Sequence, residues 1–86
     1  MYEIRLSKKA QRVYEQADKP LALKLNRCFE QLTQNPHTHP NIKRLRGELT
    51  GYFRYRIGDW RVVYEINDEQ VIVIVVMIAH RRNVYR

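Results

Sequence analysis

The hydrophobic period of this chain changes once, and that change constrains the fold more than any other feature. After a short opening strand, apolar residues recur at helical spacing as far as residue 36; from Gly51 onward they alternate. Side chains repeat every 3.6 residues around a helix and every 2 along a strand, so neither pattern suits the other element. The chain must therefore pack helices from its first half onto a sheet built from its second.

Tyr2 to Leu6 alternates and reads as that opening strand. Ser7 offers an N-cap, and Ala10, Val13, Tyr14 and Ala17 share one face of a first helix. Asp18-Lys19-Pro20 breaks it, with Pro20 suited to the first turn of a second helix. Leu21, Leu25, Cys28, Phe29 and Leu32 form the apolar stripe of that helix, and Asn35-Pro36 ends it. Residues 37–41 read as a polar loop carrying His37 and His39, with no third metal ligand close by in sequence. Strands follow at Tyr52–Ile57, Trp60–Ile66 and Val71–Ala79. The last is apolar throughout, which predicts an interior strand covered on both faces. The expectation is one α+β domain spanning residues 1–86: an N-terminal strand, a helical hairpin, then an antiparallel β-meander with helices packed on one face.

Gly58-Asp59 fits a two-residue hairpin with Gly at the first turn position. Ile57 then opposes Trp60, Arg56 opposes Arg61, and Tyr55 opposes Val62. Phe53, Tyr55, Ile57, Trp60, Val62, Tyr64 and Ile66 share the core face, while Arg54, Arg56 and Arg61 share the other. Like charges directly opposite each other destabilise a ladder by a few tenths to about 1 kcal/mol. Such a cluster suits a cradle for an anion.

Charge distribution points the same way. The net charge is +7, and residues 43–64 together with 80–86 hold all of it. Eight of the nine cations in those two segments are arginine, the side chain suited to bidentate phosphate contact. With 44% hydrophobic residues the chain is too apolar for a disordered basic tail. The nine-residue apolar run is too short to cross a bilayer as a helix, and no signal-peptide pattern opens the chain. A single cysteine, Cys28, allows no internal disulfide, and its place on an apolar stripe suits a buried small hydrophobe. No Gly-x-x-x-x-Gly-Lys loop is present, so a nucleotide triphosphate pocket is unsupported; no small-molecule ligand is expected. Arginines interleaved with Tyr52 and Tyr85, the aromatics not assigned to the core, suit RNA. The expectation is a cytoplasmic protein with no membrane association.

Three stretches carry a resemblance: Leu45-Arg46-Gly47 before the hairpin, Arg56-Ile57-Gly58-Asp59-Trp60-Arg61-Val62-Val63-Tyr64, and His80-Arg81 with Tyr85 at the end. In this order they resemble the RelE/ParE superfamily of type II toxins, over the whole chain. The resemblance implies an mRNA interferase of the RelE branch, which cuts mRNA in the ribosomal A site. In that chemistry a ribose 2′-OH attacks the adjacent phosphate, with no metal, no cofactor and no protein nucleophile. It implies catalytic roles for Arg54, Arg56, Arg61, His80, Arg81 and Tyr85, and RNA contacts from Lys43, Arg44, Arg46, Tyr52 and Arg82. Arg54 and Arg61 would clamp phosphate, Arg81 would serve the leaving side, and Tyr85 would stack on a base. The implied partners are a cognate antitoxin, the ribosome and mRNA.

One departure from the family pattern bears on the chemistry. The best-known branch has lysines where this chain has Arg54 and Arg56, and guanidinium stays protonated in proteins, which makes it a poor base. His80 is the natural candidate for the proton, with Glu48 a weaker one. Two further classes stay open: a ParE-type inhibitor of DNA gyrase, and a nucleic-acid-binding domain without catalysis.

Overall fold

The structure, a computed structural model, describes residues 1–82 of the 86-residue chain. Strand β1 (Glu3–Leu6) leads into helices α1 (Lys8–Gln16) and α2 (Lys19–Gln34). Strands β2 (Ile42–Arg44), β3 (Phe53–Ile57), β4 (Trp60–Asn67) and β5 (Ile72–His80) follow, with a short 3-10 turn at Gly47–Leu49. The five strands form one sheet in the order β1-β5-β4-β3-β2. The meander is antiparallel, and β1 joins it in parallel with β5, so the sheet is mixed.

Local chemistry sets the helix boundaries. The Ser7 hydroxyl accepts from the Ala10 N–H at 3.1 Å and donates to the Val76 carbonyl at 3.0 Å. One side chain thereby caps α1 and fastens its start to β5. The Asp18 carboxylate accepts from the Leu21 N–H at 3.0 Å, and Pro20 occupies the first turn of α2, where no amide proton is needed.

Both helices lie on the same side of the sheet. Ala10, Leu25, Cys28 and Leu32 meet Tyr55, Val62, Tyr64, Val73, Val75 and Ile78 in the core. Leu25 and Leu32 are fully buried, and each contributes about 1.5–3 kcal/mol through the apolar surface it withdraws from water. The Tyr64 hydroxyl, buried with its ring, donates to the Pro36 carbonyl at 2.7 Å and so ties the loop after α2 to the middle of the sheet.

β5 is interior, as its composition predicts, but helices cover only one of its faces. On the other side Ile74 is half-buried between Arg5 and Glu65 of the neighbouring strands. The sequence also showed no signal for β2, whose three residues pair with β3 as Ile42 with Tyr55, Lys43 with Arg54 and Arg44 with Phe53.

Candidate nucleic-acid interface

The β3–β4 hairpin has the register its turn implies. Ile57 opposes Trp60, Arg56 opposes Arg61, and Tyr55 opposes Val62. Gly58 takes φ +56°, a conformation that glycine adopts without steric penalty, and this closes the two-residue turn. The aromatic and aliphatic residues of the hairpin join the core, and Arg54, Arg56 and Arg61 fall on the side without helices. β2 adds a fourth cation there, because Lys43 stands directly opposite Arg54. Two like-charged pairs therefore face each other across adjacent ladders, Lys43 with Arg54 and Arg56 with Arg61. Val63, fully buried, lies beside Arg54 in the next strand.

Backbone carbonyls orient these cations. The Arg54 guanidinium donates through Nη1 to the Asn41 carbonyl at 3.1 Å, and the same carbonyl accepts the Arg56 N–H at 2.9 Å. Arg61 donates through Nη1 to the carbonyls of Gly58 and Trp60, both at 3.2 Å. Among the described residues, close contacts between basic and acidic side chains join Arg5 to Glu3, His37 to Asp68 and Arg81 to Asp59. Lys43, Arg54 and Arg56 pair with no carboxylate among those residues.

The remaining predicted residues spread around this face. Arg81 follows β5 and closes onto the hairpin turn: its N–H donates to the Asp59 carbonyl at 2.6 Å, and its Nε lies 3.7 Å from the Asp59 carboxylate. Asp59 thus steers Arg81, a role visible only once the end of β5 lies beside the turn. Tyr52 precedes β3 and extends the β2–β3 ladder by accepting the Leu45 N–H at its carbonyl. Arg44 lies on the helix side, its guanidinium 5.6 Å above the Phe53 ring. Arg46 is exposed at the start of the 3-10 turn that carries Glu48, and Arg82 is exposed after β5. Tyr85 lies outside the described residues.

His80 is not brought to the arginine face. It stands opposite Trp60, a helix-side residue, and the two rings meet edge to face with centroids 5.6 Å apart. Both rings line an apolar cavity of about 450 Å³ with Val13, Ala17 and Leu21. The Nδ1 of His80 lies 3.4 Å from the Arg82 N–H that points at it. At the end of β5 His80 also lines a pocket of about 430 Å³ with Asp59, Arg81 and Arg82, while its register sets it on the face opposite to Arg54, Arg56 and Arg61. The reason is register: with Trp60 turned to the core, its cross-strand partner must be turned there too.

The loop histidines diverge. His37 Nε2 lies 3.0 Å from the Asp68 carboxylate, which also accepts the Tyr2 hydroxyl at 2.6 Å. These hydrogen bonds hold the Asp68 carboxyl below its ordinary range, Tyr2 contributing most. His39 instead stacks on Tyr55. Burial pushes the Cys28 thiol well up, so it stays protonated, as its place on the apolar stripe implies.

A small basic domain of this topology, with cations lining the open side of a β3–β4 hairpin, is the form of a RelE-like toxin. Residues 4–85 match the family model described as ParE toxin of type II toxin-antitoxin system, parDE. The chain is 30% identical over 81 residues to a putative RelE-like toxin protein of Escherichia coli, covering 93% of this chain and 83% of that one. It is 43% identical over 44 residues to the toxin RelG of Mycobacterium tuberculosis, a match spanning about half of each chain, 51% in both cases. Among solved structures, the M. tuberculosis toxin–antitoxin complex RelBE2 aligns with 32% identity and a TM-score of 0.78, covering 93% of this chain and 98% of that one. The archaeal RelE–RelB complex of Pyrococcus horikoshii has the same fold at 21% identity, with a TM-score of 0.81 and coverage of 95% and 97%. This chain belongs to the RelE/ParE family of type II toxin–antitoxin toxins. No helix among the described residues is long and apolar enough to cross a membrane.

Proposed function

We propose that this toxin is a ribosome-dependent mRNA interferase of the cytoplasm, and that a cognate antitoxin restrains it. The observation that carries the proposal is the arginine face: four cations on one open side of the sheet, in two directly opposed pairs. Such a face is matched to the charge of an RNA backbone. In the reaction a ribose 2′-OH attacks the adjacent phosphorus as its proton passes to water, the 5′-oxygen of the next nucleotide leaves and takes up a proton from water, and the products end in a 2′,3′-cyclic phosphate and a 5′-hydroxyl. Negative charge grows on the pentavalent phosphorane between those states. Arg54, Arg56 and Arg61 stabilise that charge and hold the phosphate in line. Arg81 serves the leaving side from the end of β5. Lys43, Arg46 and Arg82 hold flanking backbone, and Tyr52 and Tyr85 meet bases. Because guanidinium stays protonated, this face contributes orientation and charge rather than proton abstraction. The ribosome orders the message for in-line attack.

The antitoxin partner is inferred from the M. tuberculosis and P. horikoshii relatives, both solved as toxin–antitoxin complexes. A second reading, inhibition of DNA gyrase without RNA chemistry, is favoured by one observation: the matching family model is described by its ParE toxin.

Primer extension on a defined message in a purified translation system tests the two. Cuts on ribosome-bound message, phased to codons, are expected. Continued translation of uncut message, together with loss of DNA supercoiling by gyrase, would overturn the proposal in favour of the second reading.

A further inference from the structure

β2 is three residues long, and its pairing with β3 stops at Ile42 opposite Tyr55. One residue further, the Arg56 N–H still reaches the Asn41 carbonyl. Beyond that the edge of β3 at Ile57 and Gly58 has no partner strand among the described residues. α2 passes alongside, and the space left between them is a pocket of about 270 Å³.

Its lining is polar at the rim and cationic. Lys24 and Arg27 stand three residues apart on one face of α2, next to the buried Cys28 on the pocket floor. Arg56 comes from β3, and Asn41 and Tyr55 complete the wall. Lys24, Arg27 and Arg56 are exposed, and none forms an ion pair among the described residues. No carboxylate lines the pocket. A cleft walled by charges of one sign over an apolar floor concentrates the opposite ion.

Arg56 faces Arg61 in the arginine face, and at the strand edge it also borders this pocket, so the two surfaces meet at β3. A polyanion that leaves the open side of the sheet and turns the edge of β3 next meets Lys24 and Arg27 on α2. From this geometry we infer that the α2–β3 pocket is a second phosphate site, with Lys24 and Arg27 holding the backbone of the same RNA strand beyond the nucleotides on the arginine face. The identity of the ligand as RNA rests on the function proposed above; the convergence of unpaired cations does not.

The test uses the full chain and a fluorescent single-stranded RNA carrying 2′-O-methyl groups, which cannot be cut. Affinity is measured by anisotropy across a salt series for the wild type and for the double variant K24Q/R27Q. Glutamine has nearly the helix propensity of the residues it replaces, so α2 is retained, and a circular-dichroism melt verifies it. Each single-strand phosphate contact contributes about 0.7 to the slope of log K against log salt, so the double variant should lose about 1.4. A slope equal to that of the wild type would overturn the inference and leave the pocket to an acidic polypeptide. A lowered slope in a protein that cuts no message would uphold the pocket and remove the interferase proposal. Codon-phased cutting with an unchanged slope would do the reverse.

Discussion

Lys43→Glu should make this protein more stable and worse at binding RNA. Lys43 and Arg54 stand directly opposite each other across β2 and β3, and neither has a carboxylate partner among the described residues. For two unit charges about 6 Å apart, near the spacing of directly opposed side chains, in a dielectric near that of water the repulsion is about 0.7 kcal/mol. Screening over a Debye length of about 10 Å at 0.1 M salt reduces this to about 0.4 kcal/mol. Replacing one cation by an anion removes the repulsion and adds an attraction of the same size, so the gain is about 0.8 kcal/mol. That falls within the 0.2–1 kcal/mol typical of facing pairs in a sheet. For a domain of this size about 1 kcal/mol moves the melting temperature by about 4–8 °C, so a rise of about 3–6 °C is expected. Thermal melts by circular dichroism at low salt and at about 0.5 M salt are the assay. The rise should fade at high salt, where the Debye length is about 4 Å. An unchanged or lower melting temperature at low salt would refute the reasoning. So would a gain that survives high salt, because its origin would then be strand pairing rather than charge. The same variant should show a shallower salt dependence of RNA binding, by about 0.7 in the logarithmic slope or more.

The other expectations concern chemistry, packing, strain and pH. Arg61→Ala and Arg81→Ala should each lower message cleavage strongly at unchanged far-ultraviolet circular dichroism, and wild-type cutting by either would remove that residue from the site. Tyr64→Phe deletes the buried bond to the Pro36 carbonyl and should cost about 1–3 kcal/mol in urea unfolding, since that acceptor is left without its partner. Val71 takes φ +58° in the β4–β5 turn, which is strained for a β-branched residue; Val71→Asn, whose side chain tolerates that conformation, should stabilise the fold by about 1 kcal/mol in the same assay. Asp68 is held below its ordinary carboxyl range in the folded protein, so its contribution is present above that range and is lost as pH falls through the lowered value. Asp68→Asn should therefore flatten the acid loss of stability below the ordinary carboxyl range of about pH 4, and an unaltered acid limb would show that the Tyr2–Asp68–His37 contact carries no stability.

The parts of this architecture that are legible in the sequence are those with local causes. Ser7, Asp18 and Pro20 start the helices through bonds that span three residues, and Gly58-Asp59 sets the β3–β4 register through a turn of two. That register was enough to foresee the pairing of Arg56 with Arg61. β2 escaped notice because an edge strand with two cations among its three residues has no apolar alternation to reveal it. With β2 went the pairing of Lys43 with Arg54 and the pocket beside α2. The parallel pairing of β1 with β5 joins residues nearly seventy positions apart, and no turn between them records it. His80 is a candidate base by its chemistry alone, which says nothing of the face it takes. Its face is set instead by pairing between β4 and β5, which passes through a bulge at Val63 and Tyr64 that alternation does not disclose.

In the proposed reaction RNA is cut by its own 2′-hydroxyl, with arginines supplying the charge. One measurement addresses it most directly. A message is programmed into ribosomes with a single 2′-deoxynucleotide on the 5′ side of the mapped cut, and its cleavage is compared with that of the all-ribose message. The deoxy substitution should abolish cutting at that bond, and the ribose message should leave a 2′,3′-cyclic phosphate. Cleavage of the deoxy message at the same bond would contradict it.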